Sequence, residues 1–290
     1  MFNPIDFKAG GLINHRYRVV SRIGFGSFAS AFRVADTKED DSEKVCKTTR
    51  IADDTSNKHE LEVVALEKCL GLPRWPQISD HFATKSFKTI VLSHEGVSIS
   101  DVLEMNTMPH FSIANILRIG YGIFDALHSL HTVGYIHRDV SKENVLLKRV
   151  KEGVMVKMID LGNCAKTDPP PKCLFKGWYT SLHVLKSGVH TPHDDLITAL
   201  YLLIELSGTE PFNSHLPLLQ SKEKLHSHPS TCLDESRRWL GDTMTLIDQL
   251  KSQNTSQMTS IWRHLEHAIP EVSPYSPIAF NTVDGRLIVE

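Results

Sequence analysis

The sequence predicts an α+β fold in two lobes, a small β-rich half followed by a larger, mostly α-helical half. Three observations predict it. Between Tyr17 and about Leu92, short strand-like runs are interrupted by one helical pattern. From Ser112 onward, apolar residues recur every three or four positions, the period of a helix with one buried face. The chain has 290 residues, 41% hydrophobic and 23% charged, enough to bury a sizeable core. The expected division is a single domain with an N-terminal lobe over about 12–95 and a C-terminal lobe over about 96–270. A tail over 271–290, rich in proline from Pro270, is expected to be extended. A cleft is expected between the two lobes, where ligands usually sit.

In chain order, Tyr17 to Ile23 and Ala31 to Ala35 read as strands on either side of a glycine-containing turn. Asp36 to Lys44 reads as a charged hairpin loop, and Val45-Cys46-Lys47 as a third strand. His59 to Leu70 places Leu61, Val64, Ala65, Leu66 and Cys69 at helical spacing. Thr89 to Leu92 is another strand. Ile113, Ile116, Leu117, Gly120, Ile123, Phe124, Leu127 and Leu130 mark one long helix, with Ser112 as its N-cap. Leu196 to Leu206 is apolar on most sides and reads as a core helix. Leu240 to Leu250 and Ile261 to Ala268 are two further helices.

Composition narrows the function classes. Thirty-two basic and 34 acidic residues leave a net charge of -2, so nothing suggests bulk attraction to nucleic acid, and no nucleic-acid partner is expected. Met1 to Gly10 has no apolar core of a secretory signal, and Leu196 to Leu206 is too short to span a bilayer and carries Glu205. No membrane partner is expected, and the protein is expected to be a monomer. Five scattered cysteines without a CxxC pair fit a reduced, intracellular compartment, cytoplasmic or nuclear. The 16 histidines have no accompanying thiol or carboxylate set at metal spacing and read as surface or core residues.

Chemistry is carried by five segments. Gly24-Phe25-Gly26-Ser27-Phe28-Ala29 is a glycine turn whose backbone N–H groups could meet phosphate oxygens, or a plain hairpin turn. A strand rather than a helix follows it, which argues against a dinucleotide site. Lys47 could hold the α- and β-phosphates of ATP, or be a surface lysine. Its acidic partner would be Glu62 or, competing, Glu60; Glu62 is favoured because Leu66 falls on the same helix face and can pack beneath it. His137-Arg138-Asp139-Val140-Ser141-Lys142-Glu143-Asn144 places a carboxylate that can orient an attacking hydroxyl five residues before a carboxamide that can bind Mg²⁺. The H-R-D-x-x-x-x-N spacing is rare by chance and is flanked by apolar runs. Asp160-Leu161-Gly162 ends an apolar strand, and Asp160 would hold Mg²⁺ against ATP phosphates. The order and separation of these pieces weigh more than any one of them.

With these residues the sequence resembles the eukaryotic protein kinase superfamily, from about Tyr17 to about Pro270. Within it the chain is similar to the casein kinase 1 group, in particular the tau-tubulin kinase branch. The similar segments are Leu61 to Lys68, His193-Asp194-Asp195-Leu196, and Pro169-Pro170-Pro171 followed by Phe175-Lys176-Gly177. Thr180-Ser181-Leu182 also stands where most kinases have A-P-E. The resemblance implies the two-lobed protein kinase fold, ATP and Mg²⁺ as cofactors, a protein substrate, and transfer of the γ-phosphoryl group to Ser or Thr hydroxyls. It implies catalytic roles for Lys47, Glu62, Asp139, Asn144 and Asp160, the last two as metal ligands. It implies a nucleotide pocket in which Leu92 is the gatekeeper, and Ser93, His94 and Glu95 form the hinge. By the same resemblance Ser98 and Asp101 would lie near the ribose, Ala31, Val45 and Leu146 would sandwich the adenine, and Ile23, Gly24 and Gly26 would complete the set. Asp195 would brace the catalytic loop through backbone N–H groups.

Four departures from the family pattern stand out. Ala29 replaces the third loop glycine. Ser141 replaces a lysine that contacts the γ-phosphate, and the side chain of Lys142 should point elsewhere. The segment Gly177-Trp178-Tyr179-Thr180-Ser181 is short and lacks the group's arginine, and the lobe after Pro211 is compressed. These departures motivate an alternative, a pseudokinase acting as a nucleotide-binding scaffold. A small-molecule kinase is a third reading, opposed by the His193-Asp194-Asp195-Leu196 helix. A phosphate on Thr167 or Thr180 could meet Arg138, although the group needs no such switch.

Overall fold

The computed structural model describes residues 5–25, 29–54, 57–173, 176–212, 214–253 and 258–290, with Phe25 described by its backbone alone. The chain divides into two compact units. One contains the residues up to Glu95 together with Asp160–Cys164, and the other contains Gly96–Ile159 and Ala165–Glu290.

The first unit is a six-stranded antiparallel sheet carrying one α-helix. Its elements are β1 (Leu12–Ile13), β2 (Tyr17–Phe25), β3 (Ser30–Asp36), β4 (Ser42–Arg50), a 3-10 turn at Ile51–Asp53, α1 (Lys58–Lys68), β5 (Ile78–Ala83) and β6 (Phe87–Ser93). The sheet order is β1-β2-β3-β4-β6-β5. Aromatic and β-branched residues dominate its buried side, where Ile5, Ile13, Tyr17, Val19, Phe32, Val34, Cys46 and Val91 form a core. The buried end of β3 closes on an ion pair, with the Arg16 guanidinium donating to both oxygens of Asp36 at 2.7 Å. The expected loop from Asp36 to Lys44 is shorter than the sequence suggested. Ser42, Glu43 and Lys44 already pair with Asp36, Ala35 and Val34. Their charge misled the reading, because an exposed strand face accepts charged residues, and Glu43 pairs there with Arg33 at 3.3 Å.

The second unit begins with β7 (Val97–Ser98), α2 (Ile99–Met105) and α3 (Ile113–Thr132). β8 (Tyr135–Ile136), β9 (Val145–Val150), β10 (Gly153–Met158) and β11 (Ala165–Lys166) follow. Then come α4 (Leu182–Ser187), α5 (Pro192–Leu206), α6 (Leu218–Ser227), α7 (Pro229–Cys232), a 3-10 turn at Glu235–Arg237, α8 (Arg238–Ser252), α9 (Met258–Glu266), β12 (Phe280–Val283) and β13 (Arg286–Val289). Ser112 caps α3, its Oγ accepting from the Asn115 N–H at 3.4 Å. The start of α5 is fixed twice: Pro192 occupies its first turn, and the Thr191 N–H donates to the Asp194 carboxylate at 2.7 Å. The two helices cross closely at Gly120, where a Cβ would lie 2.8 Å from Leu203 Cδ1. Two small sheets, β10-β9-β7 and β11-β8, carry the loops between α3 and α4.

The tail corrects an expectation. Instead of running extended, the chain after Ile278 folds into the β12–β13 hairpin, burying Leu287 and Val289. Two asparagines hold it by its backbone. Asn106 donates to the Val289 carbonyl at 2.6 Å and accepts from the Val289 N–H at 3.3 Å. Asn115 donates to the Ala279 carbonyl at 3.0 Å and accepts from the Ala279 N–H at 2.9 Å. Proline suppresses strand pairing at its own position, and the last proline, Pro277, precedes the hairpin. Among the described residues no helix is long and apolar enough to cross a membrane.

Candidate active site

The candidate residues of the first unit are placed by the register of its sheet. Gly24 pairs with Ala31, Ala31 with Lys47, and Lys47 with Ile90, so these residues form one row across four strands. Val45 pairs with Leu92 two residues along. The lysine thus leaves the sheet beside small residues. Its ammonium lies 2.7 Å from Glu62 Oε1 on α1 and 2.7 Å from Asp160 Oδ1. Glu60, the competing glutamate, instead pairs with Lys88 at 2.5 Å. Lys88 also reaches Asp54 at 2.8 Å, and Asp54 accepts from the Lys58 N–H at 2.9 Å at the start of α1. The helix is therefore anchored at its first turn, and Glu62 and Leu66 turn one buried face inward.

Burial works against the charge of Lys47, but the carboxylates of Asp160 and Glu62 outweigh it and hold the ammonium above the usual lysine range. Asp160 has a left-handed backbone, φ 66°, a conformation a non-glycine residue adopts only when its surroundings enforce it. Here the Gly162 N–H donates to Asp160 Oδ1 at 3.0 Å. A Cβ on Gly162 would meet Asp160 Oδ1 at 3.0 Å, Glu62 Oε2 at 3.4 Å and Lys47 Nζ at 3.5 Å. A side chain there would press on the Asp160 carboxylate.

In the second unit the candidate residues lie on the loop between β8 and β9. Asp195, buried at the start of α5, accepts from the His137 N–H at 2.7 Å and the Arg138 N–H at 2.9 Å. His131 adds a third contact at 2.9 Å. Burial would raise the Asp195 pKa, but His131, His137 and the backbone donors pull it below the usual carboxylate range. Arg138 is held at φ 66°. His137 accepts from the Asp139 N–H at Nδ1 (3.2 Å), which leaves Nε2 to donate to the Ile159 carbonyl at 3.1 Å. The histidine thus ties the loop to the strand that leads into Asp160. Asn144 Nδ2 donates to the Asp139 carbonyl at 2.9 Å, committing its nitrogen and leaving Oδ1 as the group's acceptor.

Lys47 and Asp160 belong to the first unit, Asp139 and Asn144 to the second. Among the expected nucleotide contacts, Ile23, Gly24, Ala31, Val45, Leu92, Ser93 and Glu95 lie in the first unit, and Asp101 and Leu146 in the second. Gly26 lies outside the described residues, as does Phe175 of the segment before Gly177. Glu95 is buried and accepts from Ser93 Oγ at 2.5 Å. Ser98 caps α2, donating to Asp101 Oδ2 at 2.7 Å and accepting the Asp101 N–H at 3.0 Å.

Several polar contacts around the loop between β8 and β9 join residues that the sequence did not link. Lys142 lies 3.5 Å from Glu205, and Glu205 also accepts from the Tyr179 hydroxyl. Asp194 accepts from Ser181 Oγ at 2.6 Å and pairs with Lys251 at 2.8 Å. The hydroxyl of Thr180 accepts from the Gly177 N–H at 2.7 Å, and Thr167 donates to the Gly134 carbonyl at 3.4 Å. Asp194 was legible as the neighbour of Asp195. Lys142 and Glu205 sit 63 residues apart (205 − 142), and no local pattern links them.

Comparison with known proteins bears on the same residues. The family model described as "Protein kinase domain" matches residues 17–268. A Caenorhabditis elegans protein with a serine/threonine-protein kinase name is 26% identical over 48% of this chain and 40% of its own. A second protein from that organism, with a casein kinase I name, is 25% identical over 68% of this chain and 61% of its own. A Dictyostelium discoideum protein with a serine/threonine-protein kinase name is 26% identical over 76% of this chain and 45% of its own. The chain thus spans 40% to 61% of the length of these curated relatives. The family match runs through both compact units and includes the lysine, the H-R-D-x-x-x-x-N loop and Asp160, and the chain belongs to the protein kinase domain family.

Proposed function

We propose that this chain is a single protein kinase domain of the casein kinase 1 group that transfers the γ-phosphoryl group of ATP to serine or threonine hydroxyls of a protein substrate. The observation that carries the reading is Lys47 held between Glu62 and Asp160 at 2.7 Å each. A cation fixed this way costs no reorganisation when it meets phosphate oxygens. Asp160, through a carboxylate oxygen, and Asn144, through its carboxamide oxygen, would be the residues that hold Mg²⁺, both being hard oxygen donors. When bound, Mg²⁺ would neutralise charge on the transferring phosphoryl group. Asp139, on a loop braced by Asp195, would orient the substrate hydroxyl and accept its proton. Membership of the casein kinase 1 group is supported by His193-Asp194-Asp195-Leu196, by Ser181 in place of A-P-E, and by the relative with a casein kinase I name. The five scattered cysteines include no CxxC pair, which suits an intracellular location.

The test is Mg-ATP-dependent phosphorylation of a serine/threonine peptide library. Wild-type protein should be active, and Lys47→Met and Asp139→Ala should each lose about 10²–10⁴-fold in kcat/KM. If wild type is as silent as both variants while ATP raises its melting temperature, the domain is a nucleotide-binding scaffold.

A further inference from the structure

Lys222 on α6 is completely buried, in a helix whose polar sequence, Gln220-Ser221-Lys222-Glu223-Lys224, reads as a solvated face. Buried lysines are rare unless something engages the charge. Here the ammonium donates to the Trp178 carbonyl at 2.6 Å and to the Thr180 carbonyl. It also lies 4.4 Å from the centre of the Phe212 ring and 4.6 Å from that of Tyr201, within cation–π range of both. No carboxylate pairs with it among the described contacts. One turn along α6, His226 bonds the Tyr201 hydroxyl at 2.7 Å, and that hydroxyl accepts from the Leu182 N–H at 3.3 Å. Tyr179, between the two carbonyls, is held by Glu205 at its hydroxyl and by Thr198 Oγ1 at its carbonyl, 3.0 Å. Beyond them Ser181 is held by Asp194. Every residue from 178 to 181 is thus gripped by a side chain from α5 or α6. The segment that lacks the group's arginine has a cation beneath it instead of within it.

We propose that Lys222 is a positioning residue: its buried ammonium fixes residues 177–181 in the shape that receives the peptide substrate, without phosphorylation of the segment. The proposal rests on the kinase reading for its substrate and on the contacts above for the lock. Burial draws the Lys222 pKa down to about 7, so the two carbonyls and two ring faces are what favour its charged form. Removing the side chain's donors leaves two carbonyls without their partner inside the protein.

The test compares wild type with Lys222→Met by amide hydrogen exchange and by peptide kinetics. Exchange at the Thr180 and Leu182 amides should accelerate by about tenfold or more while α5 and α8 keep their protection. The KM for peptide should rise by about tenfold, with kcat and the KM for ATP within about twofold of wild type. Phe212→Leu keeps the lysine and removes one ring, and should move both readouts the same way by about two- to threefold; it carries the test if Lys222→Met does not fold. Unchanged exchange in the variants overturns the lock, and loosened exchange with an unchanged peptide KM overturns the positioning role. Wild-type protein that phosphorylates no peptide overturns the kinase reading, and faster exchange in the variants would then still support the lock.

Discussion

At the scale of single residues, the site is built around one cation with two carboxylates, and its tolerances are narrow. Gly162 is within 3.5 Å of all three groups once a Cβ is added. Gly162→Ala should therefore displace Asp160 from Lys47 and lower kcat by about 10- to 100-fold, with the melting temperature nearly unchanged. Asp194 shows a different economy of charge. Burial alone would raise its pKa, but His183, Lys251 and Ser181 hold it well below the usual carboxylate range. A carboxylate depressed on folding stabilises the protein above its unfolded pKa, and that contribution is lost as pH falls through its folded pKa. Asp194→Asn should cost about 2–4 kcal/mol at pH 7. The gap between wild type and variant in urea melts should shrink as pH falls from about 4 towards 2.

At the scale of elements, α1 and α5 each position candidate residues within their own unit. α1 is registered by Asp54 and Lys88 at its first turn, and α5 by Pro192, Thr191 and Asp194 at its own. Such terminal anchors decide where Glu62 and Asp195 stand. The C-terminal hairpin is an element of another kind, fixed through two amide side chains that mimic strand pairing. Asn115→Ala would remove both bonds to the Ala279 backbone, and should lower stability by about 1–2 kcal/mol in thermal or denaturant melts. These elements differed in how far the sequence revealed them. α3 was legible because its apolar face repeats over five turns and Ser112 marks its start. The Lys47, Asp139, Asn144 and Asp160 segments were legible because their residue types are uncommon at that spacing. α2 and α6 were not, since one is a single short run and the other buries Ser221 and Lys222 beside Leu225, so its inward face does not read as apolar. The hairpin was hidden because Asn106 and Asn115, which hold it, lie more than 160 residues earlier (279 − 115).

At the scale of the whole molecule, periodicity and motif order were enough to predict a β-rich part and a helical part, because burial imposes both. What they could not supply is the set of long-range polar contacts: Lys142 with Glu205, Lys251 with Asp194, Lys222 with the carbonyls of Trp178 and Thr180. Such pairs are fixed by the completed packing and leave no periodic trace in the chain. The crossing of α3 and α5 adds a constraint of its own. Gly120 and Leu203 share one volume, so Gly120→Ala should destabilise by about 1–3 kcal/mol despite alanine's better helix propensity. Leu203→Ala should recover part of that loss, visible as a coupling energy in a double-mutant cycle. In evolutionary terms the two positions can drift only in step: lineages that enlarge one must trim the other, and their covariation would record the crossing in sequences where neither glycine nor leucine survives.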